Sequence, residues 1–251
     1  MMIWAQMNRE VYVLPSQVDK ADATVADKGR AKDTTANILS ILAWNGSISP
    51  ELCVSPLENN PKIKAHGGYA YTDPASAVKP AEALWDPSFN ADFTGDKSAH
   101  NSYAHLQPSG ELNGAKPMES SGRVARWGNT FVASDPIVST RGAKITSVRL
   151  DGEDAWPVFD NEKSNAFSFY RPGGAWSGNV AFNDGRVEFL ERYLAPGAAV
   201  KTAARYKTKE GAARPDMAFF DEPDDANGSN NFLGIFTKAG VKPSEFASIW
   251  D

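Results

Sequence analysis

Gly178-Asn179-Val180-Ala181-Phe182-Asn183-Asp184-Gly185-Arg186-Val187-Glu188-Phe189-Leu190 reads as two strands joined by a tight turn. Asp-Gly between alternating apolar runs favours a two-residue type I′ turn, because both central residues need positive φ and these two adopt it at least cost. A turn centred on Asp184 and Gly185 pairs Asn183 with Arg186, Phe182 with Val187, Ala181 with Glu188 and Val180 with Phe189. Strand side chains alternate, so Val180, Phe182, Val187 and Phe189 share one face, with Ala181 and Glu188 on the other. A slip of one residue would put all four apolar groups in water, each worth about 1.5–3 kcal/mol when buried.

Outward from the hairpin, Phe167-Ser168-Phe169-Tyr170 is expected as a strand that feeds it through Pro172-Gly173-Gly174 and Trp176, giving an antiparallel meander. Further strands are expected at 10–14, 66–71, 102–106, 129–134 and 144–150. Asp135-Pro136 is the expected turn between the last two, and 152–165 reads as an acidic loop around Trp156. Residues 18–32 alternate charge and read as a loop or a solvated helix. Asp33 or Thr34 caps a helix through Ile38, Leu39, Ile41 and Leu42 that stops near Gly46. Beyond the hairpin, the basic residues Lys201, Arg205, Lys207, Lys209 and Arg214 precede the acidic Asp216, Asp221, Glu222, Asp224 and Asp225. Such neighbours can pair with each other or engage an adjacent subunit. Residues 232–236 read as ordered, and 244–250 as a short docked helix capped by Ser244.

Composition is consistent with this reading. The chain has 251 residues, 41% hydrophobic and 23% charged, enough for one large β-rich domain or two small ones. Twenty Gly and sixteen Pro spread along it favour short strands and loops over long helices. The expected class is α+β: a single antiparallel β-rich domain over 1–251 with one or two short helices and many loops. A net charge of −5 without a basic stripe gives no electrostatic reason to bind nucleic acid. The single cysteine, Cys53, excludes an intrachain disulfide and reads as a buried small apolar residue.

Arg171-Pro172-Gly173-Gly174 followed by the stretch from Gly178 to Phe189 resembles the C-terminal signature of the prepilin-type H-x9-DG family, pilin-like or type II secretion pseudopilin-like proteins. The motif positions are Asn179, Phe182, Asp184, Gly185, Val187 and Phe189. Arg171 stands where that family has a His, twelve residues rather than nine before Asp184, so no role is carried onto it. Ser49-Pro50-Glu51-Leu52-Cys53-Val54-Ser55-Pro56, Asn101-Ser102-Tyr103-Ala104 and Asn129-Thr130-Phe131-Val132-Ala133-Ser134-Asp135-Pro136 are similar to upstream segments of the family, in the right order. The resemblance implies a pilin-like core over about 33–194 with an extension over about 195–251. It also implies export to the cell surface, periplasm or medium. The partners it implies are copies of the chain or other pilin-like subunits. Met1-Met2-Ile3-Trp4-Ala5 is too short an apolar run to span a bilayer, so the membrane would enter only through an anchor outside these residues.

For chemistry, the run from Asp221 to Asn231 is the cation candidate. Asp221, Asp224, Asp225 and Asn227 could offer Ca²⁺ hard oxygens around a Gly, although the spacing is no EF-hand. No other cofactor is expected. His66, His100 and His105 are not spaced as a ligand set and read as scattered hydrogen-bonding groups. No nucleophile elbow, zinc-protease motif or phosphate loop is present, and the turn accounts for Asp184. The expected function is a non-enzymatic assembly subunit. The alternative is an exported binding module using Trp85, Trp127, Trp156 and Trp176 as a carbohydrate-stacking row, and the third reading an enzyme on a β scaffold.

Overall fold

The computed structural model describes residues 1–114, 116–117, 122–151, 154–170, 176–191, 205–226 and 228–251. Its centre is a six-stranded sheet of β1 (Tyr103–Leu106), β4 (Pro136–Thr140), β7 (Gly178–Phe182), β8 (Val187–Leu190), β11 (Leu233–Lys238) and β12 (Ala247–Ile249). The spatial order is β12-β11-β1-β4-β7-β8, and every pairing is antiparallel. Three two-stranded ribbons surround it: β2 (Leu112–Asn113) with β3 (Lys116–Pro117), β5 (Ile145–Asp151) with β6 (Asp154–Phe159), and β9 (Arg205–Lys207) with β10 (Ala213–Pro215). The fold is thus β-rich and antiparallel, with three short α-helices among the described residues.

Helix α3 (Thr35–Trp44) lies against β11 and forms as its sequence requires. The Thr34 side chain accepts a hydrogen bond from Asn37 N, relieving one of the helix's orphan donors. At the other end, Gly46 takes φ +69, with Gly46 N donating to Ala43 O and Ser47 N to Leu42 O. That double bond pattern is a Schellman end, which favours glycine at the left-handed position. The Thr35 hydroxyl ties helix to sheet, accepting from Phe236 N at 2.7 Å and bonding His105 Nε2 at 2.8 Å. The core around it includes Ile38, Ile41, Trp85, Leu106, Trp127, Trp176, Val180, Phe182 and Leu233. Cys53 closes the turn Pro50–Cys53 and is buried there, its carbonyl accepting from Ser102 N. Burial, with the nearby Glu51 charge, pushes its thiol pKa up to about 12.

The hairpin is present, but its register is one residue away from the expected one. Asn179 pairs with Phe189, Val180 with Glu188 and Ala181 with Val187. Phe182 N donates to Arg186 O and Gly185 N to Phe182 O, so the loop is three residues long, Asn183-Asp184-Gly185. Only Gly185 in it has positive φ, at +86, which fits a type I turn with a glycine bulge instead of type I′. The reason lies at Asn183, which is fully buried. Its backbone N donates to Asp135 O, its Oδ1 accepts from the Tyr12 hydroxyl, and its Nδ2 donates to Arg126 O. Pairing Asn183 with Arg186 would break those bonds. Hence Val180 and Phe182 are buried, while Val187 and Phe189 are 61% and 46% exposed. The four apolar groups do not share a face.

Other expectations are corrected in the same way, by partners distant in the chain. Residues 10–14 make only an isolated bridge, Val11 with Gly128. Residues 66–71 and 129–134 are not strands, and Pro136, expected in a turn, instead opens β4. Residues 152–165 contain β6, which pairs along β5. Phe167 and Ser168 belong to a 3₁₀ turn, Asn165–Ser168, capped by the Ser164 hydroxyl. Because that segment is not a strand, β7 pairs with β4 and the expected meander does not form. The expected C-terminal helix is a 3₁₀ turn (Pro243–Glu245) followed by β12, recruited by β11. Lys32, placed in a solvated segment, is buried, with its ammonium against Asp19 and Asp22. Burial works to raise Asp19, but hydrogen bonds from Ala23, Thr24 and Lys32 outweigh it and hold the carboxylate below its usual range.

Candidate functional site

Two regions carry features beyond what folding requires. The first surrounds the Asp184-Gly185 turn. The Met2 side chain, on helix α1 (Met2–Met7), sits beside Gly185. On another side Arg186 Nη2 donates to Ala133 O at 2.7 Å, which brings in the loop that precedes β4. Arg186 also stacks over the Phe182 ring at 4.2 Å and pairs with Glu188. Each of the elements brought together at this turn also exposes apolar side chains. Ile3 and Met7 of α1 are 68% and 75% exposed, and Phe131 and Val132 of the loop 67% and 43%. Val187 and Phe189 continue the set along β8, the last strand in the sheet order, with Phe189 edge-on to Tyr170 at 5.0 Å. Of the motif positions, Phe182 is thus core, Asp184 and Gly185 turn, and Val187 and Phe189 surface. Asn179 Nδ2 donates to the Tyr170 hydroxyl. Pro172, Gly173 and Gly174, with Arg171, lie outside the described residues.

The second region is a cleft of about 800 Å³ lined by residues that include Ser109, Glu111, Arg123, Asp221, Glu222 and Lys242. Its wall is a buried polar network. Arg123 donates to Gln107 Oε1, Asp221 Oδ1, Asn230 Oδ1 and Asn230 O. Arg126 donates to Asn231 Oδ1, Gly228 O and Asn230 O. Glu222 accepts from Met217 N at 2.9 Å and Asn230 Nδ2 at 2.5 Å. Both Asp216 oxygens accept from Asn231 N, and Oδ2 also from Asn231 Nδ2. Burial first, and then the Asp216 charge, push the Glu222 carboxyl well above its ordinary value. Burial also raises Asp216, against the pull of Arg126 and Arg123. Burial thus favours the neutral form of a carboxyl in the wall of the cleft. Beside it the buried Ser109 hydroxyl has no partner among the described residues. The acidic run is visible in the sequence but the network is not, because Arg123 and Arg126 lie far along the chain from their partners Asp221, Asn230 and Asn231.

The described cation candidates each have protein partners. Asp221 faces Arg123, Asp224 accepts from Tyr206 and Arg214, and Asp225 accepts from Ser229 and Asn230. Asn227 lies outside the described residues. Among the described residues no three His, Cys, Asp or Glu side chains group as metal ligands. Of the charged neighbours in this segment, Arg214 pairs with Asp224 at 2.9 Å. The tryptophan row does not form: Trp85, Trp127 and Trp176 are buried and only Trp156 is exposed.

The histidines divide into two settings. His66 and His100 meet with ring centroids 4.4 Å apart, beside Tyr69 and Phe89. His105 is buried, which lowers its pKa to about 4; its Nδ1 donates to Leu106 O and its Nε2 accepts from Thr35. No family model, curated protein or solved structure matches the chain.

Proposed function

We propose that this chain is a non-enzymatic assembly subunit: an exported, pilin-like or type II secretion pseudopilin-like domain that works through contacts with copies of itself or related subunits. The observation that carries the reading is the apolar surface around the Asp184-Gly185 turn. Single exposed apolar residues are ordinary, but six on three elements that meet at one turn favour an interaction surface. Two of them, Val187 and Phe189, belong to the hairpin that carries the family resemblance. The chemistry of such a surface is burial of apolar area with geometric selection, and no bond is made or broken.

The test is sedimentation and electron microscopy of the full chain over a range of concentrations, with and without Val187→Ser and Phe189→Ser. Concentration-dependent regular oligomers that the double variant abolishes are the expected result. Dispersed monomers at the highest soluble concentration would sink the reading. A second reading, an exported binding module, is favoured by the cleft and by the Ser109 hydroxyl in its wall, which has no partner among the described residues, since such a polar group suits a small polar ligand. Saccharides and other small polar compounds that raise Tm in the wild type but not in Ser109→Val would support it.

A further inference from the structure

The chain's first helix is attached to its own copy through a strained bend. Met1, Met2 and Trp4 pack against the core, and Ala5 is fully buried. After Asn8, Arg9 and Glu10 both take left-handed backbone, with φ of 58° and 64°. Two successive non-glycine residues there crowd each Cβ against the following carbonyl. The body of the protein grips the chain from Glu10 onward. Glu10 O accepts from Asn129 N at 2.7 Å, Glu10 Oε2 accepts from Asn129 Nδ2 at 2.8 Å, and Val11 bridges Gly128. The carbonyl of Glu10 passes so close to Gly128 that a Cβ at that position would stand 2.5 Å from it. The bend at Arg9 and Glu10, closed by Glu10 N donating to Ala5 O at 2.8 Å and Val11 N to Asn8 O at 3.2 Å, folds α1 back onto the copy it belongs to. Between α1 and the segment after the bend lies a cleft of about 320 Å³, lined by Trp4 and Met7 on one side and by Val11, Tyr12, Leu14 and Val18 on the other.

We infer that α1 exchanges between copies: the helix of one chain occupies the α1 seat, beside the Asp184-Gly185 turn, of another. The occupant fits because it is the same segment already seated there. Short hinges under strain favour such exchange, since opening the bend removes a cost that the closed copy must bear. Each left-handed residue relaxed shifts the balance toward exchange by roughly tenfold. Passing the helix onward from copy to copy gives an open chain, and returning it gives a closed pair. The inference rests on the assembly reading and supplies its contact.

The test mixes two full-length single variants, Met2→Cys and Gly185→Cys, incubates them at the concentration where copies associate, and adds a short bis-maleimide. The native Cys53 is buried, so its thiol stays silent. A cross-linked heterodimer is the expected result, with its yield cut about tenfold or more when both variants also carry Arg9→Gly and Glu10→Gly. Cross-linking confined to a Met2→Cys/Gly185→Cys double variant within one chain, or a yield indifferent to the glycines, would overturn exchange. Association without the cross-link sinks exchange but leaves the assembly reading standing; no association at any concentration sinks both.

Discussion

β7 and β8 are the two arms of one hairpin, with the same alternation of apolar residues, yet they serve opposite ends. β7 lies between β4 and β8 and turns Val180 and Phe182 into the core, whereas β8 turns Val187 and Phe189 to solvent. The difference is one residue of register, set by Asn183. An alternating pattern states which residues share a face within each strand. It does not state which faces of two strands coincide, because a buried polar group in the loop can shift that by one.

The contrast can be broken from the inside first. Phe182→Ala should destabilise the chain by about 3–5 kcal/mol, read as a fall in urea midpoint, since it leaves a cavity under the sheet. A loss below about 1 kcal/mol would mean β7 is not the buried arm. Asn183→Leu strands the Tyr12 hydroxyl and the Arg126 carbonyl that the Asn183 side chain now satisfies. A loss of about 2–3 kcal/mol is expected.

Glu222→Gln asks whether burying a titratable group behind this network costs stability. A carboxyl raised in the folded state stays protonated while its unfolded counterpart ionises. Stability is therefore full below the ordinary carboxylate range and falls as pH climbs from there toward the raised folded value. The variant should flatten that decline and gain on the order of 1–3 kcal/mol above neutral pH. An unchanged slope in urea melts at pH 5 and pH 8 would place the carboxyl in its ordinary ionised state.

Gly185→Ala should cost about 1 kcal/mol, from backbone strain alone, because the new Cβ would meet Met2 at an ordinary contact distance of 3.5 Å. Smallest of all, Val187→Ser with Phe189→Ser should move the midpoint by no more than about 0.5 kcal/mol while reducing self-association. A large stability loss from that pair would show β8 to be core after all.

What the sequence made legible was local. The α3 cap at Thr34 and its stop at Gly46 are read within a few residues, and the hairpin is announced by Asp-Gly between apolar runs. What it hid depends on partners far along the chain. Residues 247–249 become a strand because β11 offers an edge. The segment holding β6 is acidic and contains Pro157, which masks a strand made by pairing with β5. Lys32 sits in a run that reads as solvated, yet Asp19 and Asp22 make its burial tolerable. The cleft was invisible for the same reason, since Ser109, Arg123, Glu222 and Lys242 meet only in three dimensions.

Cys53 offers a clock for all of this. A lone thiol sealed beneath the Pro50–Cys53 turn and held protonated far above neutral pH cannot be alkylated until the structure around it opens. Its labelling rate in dilute reagent therefore reports how much of the intact molecule is open at any moment, without denaturant.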